Sequence, residues 1–238
     1  MTVYVHFVRH EEVASHQGDV PITEAGLASA EEHGRQMAEW ITESERVFFL
    51  HTITKRTRQT AEQLRKGVVR KLKDVNNRTV SIVDPFNENA IRNPDIFLGG
   101  LRVELVSSYE ALSEQITCLG IEEGLLPTLP FWPPFMTSSD RIGYWLHLDN
   151  PPGENAEAVA RRLMAYALSL SFIPHKETSR YFCVTHSPVL RAFLKKYLLK
   201  EDLGEPDYCE SINLSFSKGI CSIRYREYHT NITMDLEE

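Results

Sequence analysis

The sequence predicts an α/β fold: a three-layer α/β/α sandwich with a largely parallel central sheet and an inserted cap region. Three observations predict it. Short runs of β-branched and aromatic residues alternate with segments of helical periodicity, the pattern of strand–helix–strand units. That alternation breaks once, over about residues 89–150, in a stretch rich in proline and aromatic side chains, and then resumes. The chain has 238 residues, enough for one domain (1–238) carrying an insertion.

The elements follow in order. Val3 to Val8 reads as a buried strand. From Thr23, a plausible N-cap, Leu27, Ala30, Gly34, Met37 and Ile41 recur at steps of three and four and give one helix face. Val47 to Leu50 is a second strand. A helix over about 58–72 buries Ala61, Leu64, Val68 and Leu72. Thr79 to Val83 is a third strand, ended by Asp84-Pro85. In the cap, Leu101, Leu105, Leu112, Ile116 and Leu119 suggest an amphipathic helix. The run LLPTLPFWPPFMTSS then excludes a regular helix or a central strand. This cap reads equally as a wall of a binding site or as a plug over a sheet edge. Trp132, Tyr144 and Trp145 read as its packing. A helix from Gly153-Glu154 to about Leu170, a strand at Tyr181 to Thr185 and a helix opened by Ser187-Pro188 restore the pattern. Ile212 to Phe216 and Ile220 to Tyr225 form a hairpin turning at Lys218-Gly219.

Composition bounds the function. The hydrophobic share is 42% and the charged share 25%, so a folded globular chain is expected. A net charge of −7 argues against a nucleic-acid partner or an acidic membrane surface. No apolar run approaches the roughly 20 residues of a membrane span. The first ten residues read as a strand and lack a secretory leader, so a cytoplasmic location is the default expectation. Cys118, Cys183, Cys209 and Cys221 form no CxxC pair, and none sits near a histidine at zinc-site spacing. They read as scattered reduced thiols.

In a sheet of this kind, ligands bind beyond the carboxyl ends of the strands. Arg9-His10-Glu11-Glu12 follows the first strand, and Thr52 to Arg56 follows the second. Asn87-Glu88 follows the third, and His186-Ser187 follows the fourth. Two histidines, two arginines and a carboxyl could thus meet in one crevice. Guanidinium forks match a tetrahedral phosphate. An imidazole between them could attack phosphorus and carry the phosphoryl group. Free N–H groups at the helix start by Ser187 offer a further anion site. A carboxyl such as Glu88 could protonate the leaving alkoxide. This chemistry needs no metal ligand set and no cofactor. Glu12, His51, Arg92 and Arg141 read as ordinary residues outside it.

Five segments, in order, resemble the histidine phosphatase superfamily, also called phosphoglycerate mutase-like. They are HFVRHEEVASHQGDVPITEAG, HTITKRTRQTAEQL, PFNENAIR, PPGENAEAVARRL and VTHSPVLRAFL. The resemblance implies that His10 is the nucleophile and that Arg9, Arg56 and His186 hold phosphate. It implies that Glu88 acts as acid and then base. His16 falls near a position where the family often has a phosphate-contacting Asn, and Thr23 matches a threonine at the pocket edge. Three positions depart from the family pattern: Glu11 and Ser187 each stand where a Gly is usual, and His16 stands near the usual Asn. The expected function is hydrolysis of a small phosphomonoester through a phosphohistidine on His10. The alternatives are a phosphoglycerate mutase-type phosphotransferase and a non-catalytic phosphate-binding member.

Overall fold

The computed structural model describes residues 2–15, 18–75, 79–174 and 177–234. The elements run β1 (Val3–Arg9), α1 (Glu24–Met37), β2 (Glu45–His51), α2 (Lys55–Asp74), β3 (Ser81–Ile82) and β4 (Phe86–Asn87). The cap follows, with β5 (Asp95–Leu98), β6 (Leu101–Glu104), α3 (Tyr109–Cys118), α4 (Trp132–Thr137) and α5 (Arg141–Leu146). The chain then returns through α6 (Ala156–Phe172), β7 (Thr178–Thr185), α7 (Ser187–Tyr197), β8 (Ser211–Ser217), β9 (Ile220–Tyr225) and β10 (Tyr228–Thr233).

The main sheet has the order β10-β9-β8-β1-β7-β2-β3, with β4 also paired to β2. Strands β1, β7, β2, β3 and β4 pair in parallel. Strands β8, β9 and β10 extend the sheet antiparallel from β1. The architecture is the expected α/β/α sandwich with an inserted cap.

Strand periodicity builds two cores. In β7, Phe182 and Val184 face one way and pack with Ala30, Ala61, Leu64 and Val68 of α1 and α2. Tyr181 and Cys183 face the other way and pack with Val159 and Leu163 of α6, Phe193 of α7 and the cap. Helices α1 and α2 cross closely because glycine stands on both sides of the contact. A Cβ on Gly34 would lie 2.2 Å from the Leu64 carbonyl oxygen, and one on Gly67 would lie 1.9 Å from that of Glu31.

The structure differs from the sequence expectation in four places. Leu101 belongs to strand β6, antiparallel to β5, and the helix in this region is confined to Tyr109–Cys118. The proline-rich run contains helix α4, whose Pro133 and Pro134 sit in the first turn, where a missing N–H costs no helical bond. The third strand pairs over only Ser81–Ile82. Strand β10 was not expected and follows a turn at Arg226, which has φ 51°. Trp132 and Trp145 are fully enclosed in the cap core, where Phe131 and Phe135 stack at 5.1 Å. No helix among the described residues is long and apolar enough to cross a membrane.

Candidate active site

The parallel pairing of β1 and β7 aligns Arg9 with Thr185. The next residue of each chain segment is a histidine, so His10 and His186 leave the sheet side by side. Their rings meet edge to face, with centroids 5.4 Å apart and planes at 67°. Both are buried. His10 N donates to the Thr185 carbonyl at 3.0 Å, which fixes the backbone of the pair.

The His10 ring is oriented by its own loop. Nδ1 donates to the Glu11 carbonyl oxygen at 2.8 Å. That contact places a proton on Nδ1 and turns Nε2 away from the Glu11 carbonyl. His186 is oriented from β2 and α2. Arg56, in the first turn of α2, approaches His186 Nδ1 through a terminal nitrogen at 3.4 Å. Nδ1 therefore accepts, and Nε2 donates to Thr52 Oγ1 at 3.1 Å. Thr52, Thr54 and Thr57 form a buried hydroxyl cluster behind it, with oxygens 2.9–3.2 Å apart. Burial, then the Arg56 charge, push the His186 pKa well below its ordinary value. His186 is thus neutral near pH 7. Burial also lowers the Arg56 pKa, so this guanidinium is poorly solvated where it stands. An incoming anion would offset that desolvation.

These residues floor a cavity of about 970 Å³. Arg9, His10, Arg56, His186 and Ser187 all line it, and the cap supplies much of the remaining wall, including Glu104, Leu105 and Arg141. Ser187 opens α7, and its buried Oγ has no hydrogen-bond partner among the described residues. Arg9 reaches the same space and is already engaged there. It pairs with Glu205 at 3.1 Å, donates to the Pro206 carbonyl and lies over the Tyr208 ring at 4.5 Å.

Other expected residues lie elsewhere. Glu88 does not line the cavity. Its Oε1 accepts from Ala90 N at 2.8 Å, capping a single 3-10 turn, and its charge reaches Tyr166 and Cys183 on the α6 side of the sheet. Thr23 is the N-cap of α1, accepting from Gly26 N at 2.9 Å, and is also absent from the cavity wall. His16 lies outside the described residues. Arg141, read as ordinary from sequence, lines the cavity.

Some contributors escaped the sequence reading. Glu104 and Asn93 stand on the cavity wall, with Asn93 Nδ2 3.5 Å from Glu104 Oε2. Glu205, which holds Arg9, lies far along the chain in an irregular segment. The hydroxyl cluster had a visible signal in Thr52, Thr54 and Thr57, crowded between a strand end and a helix start.

No protein-family model matches this sequence, and no curated protein matches it. Solved structures do match. One is a phosphoglycerate mutase from Bacillus anthracis, 14% identical with a TM-score of 0.53, covering 94% of this chain and 92% of that one. Another is a mycobacterial glucosyl-3-phosphoglycerate phosphatase, 12% identical with a TM-score of 0.51, covering 99% of each chain. A third, named mycobacterial hydrolase 1, is 14% identical with a TM-score of 0.51 over the full length of both chains. The chain shares their fold. At these identities the likeness concerns the path of the backbone, and the chemistry must be argued from the side chains.

Proposed function

We propose that this protein is a member of the histidine phosphatase superfamily and hydrolyses a small phosphomonoester through His10. The observation that carries the reading is the paired histidine floor. His10 has its Nδ1 proton committed to the Glu11 carbonyl, and neutral His186 and cationic Arg56 stand beside it.

His10 Nε2 attacks phosphorus while the bond from phosphorus to the leaving oxygen breaks. The leaving oxygen takes a proton from a carboxylic acid. The resulting carboxylate removes a proton from water, and that water attacks the phosphohistidine. The P–N bond breaks and inorganic phosphate leaves. Arg56, Arg9 and the start of α7 bind the phosphoryl oxygens, where charge builds in the transition state; His186 joins them only once Arg56 turns from its Nδ1 to the phosphate and that nitrogen takes up a proton. Arg9 must first exchange its Glu205 partner for phosphate.

Two carboxyls compete for the acid role. Glu88 holds it by sequence resemblance. Glu104 holds it by its place on the cavity wall, where its charge, after that of Asp19, acts on Arg56; Asp19 is itself engaged at the start of α2, accepting from Lys55 N at 2.8 Å. Glu11 and Ser187, which stand where the resembled family has Gly, favour a second reading, a phosphate-binding protein that does not turn over.

The test is a screen of phosphomonoesters, with and without EDTA, beside the His10→Ala variant. Metal-independent hydrolysis lost in His10→Ala is the expected result. Equal turnover by the variant contradicts it, and phosphate binding without turnover selects the second reading.

A further inference from the structure

We propose that Glu11, His33 and Cys209 form a binding site for a thiolate-preferring divalent cation such as Zn²⁺, on the far side of the His10 loop from the cavity.

Glu11 stands in place of the family's usual glycine, and its side chain takes no part in the chemistry proposed above. Its carboxylate turns away from the cavity and is 4% exposed as a residue. Oε1 is 3.3 Å from Glu12 N, and Oε2 is buried with no partner within strict hydrogen-bond geometry; the Cys209 thiol makes only a weak contact with this carboxylate. A buried carboxylate oxygen left unpaired is costly, and cation binding relieves that cost.

Two other donors face it. His33, on α1, places Nδ1 3.7 Å from Glu11 Oε2. Cys209, in the segment before β8, completes a set in which donor atoms of all three residues lie within 4.8 Å of one another. Ligands of a tetrahedral Zn²⁺ at their usual bond lengths stand about 3.3–3.8 Å apart, so a small contraction closes the site. The set is one sulfur, one nitrogen and one oxygen. Thiolate with imidazole selects Zn²⁺ over Mg²⁺ or Ca²⁺.

Cys209 is held in an unusual conformation, with φ 55°, a left-handed region seldom occupied by a residue with a side chain. Its N–H donates to the Arg9 carbonyl at 3.1 Å. The thiol lies close to the Glu11 carboxylate. His33 is half-buried and gives access from solvent, so water can take the fourth position.

Binding proceeds by exchange. The Cys209 thiol releases its proton to solvent and the thiolate bonds the ion. His33 Nδ1 gives up its 3.0 Å contact with the Ser29 carbonyl, and its proton moves to Nε2. None of the three residues lines the cavity, so the ion does not touch a substrate there. It joins three chain segments: the loop after β1, helix α1 and the segment before β8.

The test uses the full chain, stripped with EDTA, dialysed and titrated with Zn²⁺ alone. One ion per chain and a rise in Tm are expected. Co²⁺ in its place should give a near-ultraviolet thiolate-to-metal absorption band. Cys209→Ser should abolish that band, and His33→Gln should weaken Zn²⁺ binding by roughly tenfold or more, at least the loss typical of a supporting residue. Should Cys209→Ser fail to fold, His33→Gln carries the test from a half-exposed helix position. Zn²⁺ binding unchanged in the folded variants overturns the site, as does the absence of any Tm shift and cobalt band in the wild type. The readout is metal binding, so a catalytically inactive protein tests it equally well.

Discussion

At the residue scale, a histidine becomes a nucleophile only when one nitrogen is tied down and the other is left available. The Glu11 carbonyl does the first for His10. This uses the backbone of Glu11 alone, so the position tolerates a carboxylate side chain that turns away from the cavity, as it does. The acid assignment is the most discriminating residue-scale question. Loss of a general acid costs about 10²–10⁴-fold in rate. If Glu104 serves, Glu104→Gln loses about that much in kcat on an alkyl phosphate, and Glu88→Gln changes kcat little. The reverse order restores Glu88. An aryl phosphate with a good leaving group should be far less sensitive to the true acid, which separates an acid from a residue that merely shapes the cavity.

At the element scale, the clearest prediction concerns the crossing of α1 and α2. Gly67→Ala places a methyl group against the Glu31 carbonyl, and the helices must part. Overpacking of this kind costs about 1–3 kcal/mol, which urea denaturation measures. Unchanged stability would contradict the close crossing. Elements with one dominant period were legible in the sequence. Strand β7 was readable from its apolar run, and α7 from Ser187-Pro188 and the periodicity behind it. The hairpin was readable from Lys218-Gly219, both of which have positive φ. Misreadings arose where two periods coincide. Leu101 and Leu105 are four apart, which fits a helix face, yet Val103 between them fits a strand face, and the strand prevailed. Strand β10 alternates between exposed and half-exposed residues and buries no core residue, so it carried no hydrophobic signal. Among the site residues, those beside strand ends were legible because chain order places them. Glu104 and Glu205 were not, because only the folded cap and an irregular loop bring them to the site.

At the scale of the whole molecule, stability and chemistry occupy opposite ends of the sheet. The cavity lies beyond the carboxyl ends of β1 and β7. Towards the other end, Arg180 pairs with Glu45 at 2.8 Å, and both are almost wholly buried. His6 accepts from Arg180 at Nε2 and donates to Asn213 Oδ1 from Nδ1, which requires the neutral ring. Burial first, and the Arg180 charge second, push its pKa down to about 3. The unfolded chain binds that proton at about pH 6.5. Between these values the unfolded state holds more protons, so stability rises with pH. The contribution is therefore complete above about pH 6.5 and is lost as pH falls towards 3, at up to about 1.4 kcal/mol per unit. His186, also held neutral, adds in the same direction. Urea denaturation across this window should show the slope, and His6→Gln should flatten it. Equal slopes in the two proteins would contradict the assignment.

The central claim is that His10 carries the phosphoryl group. Its most direct test is covalent label on the protein after mixing with a radiolabelled phosphomonoester and rapid alkaline quench, which preserves phosphohistidine. The account predicts acid-labile label on the wild type and none on His10→Ala. Equal labelling of both proteins, or turnover by the wild type with no label during the steady state and no loss in His10→Ala, would contradict it.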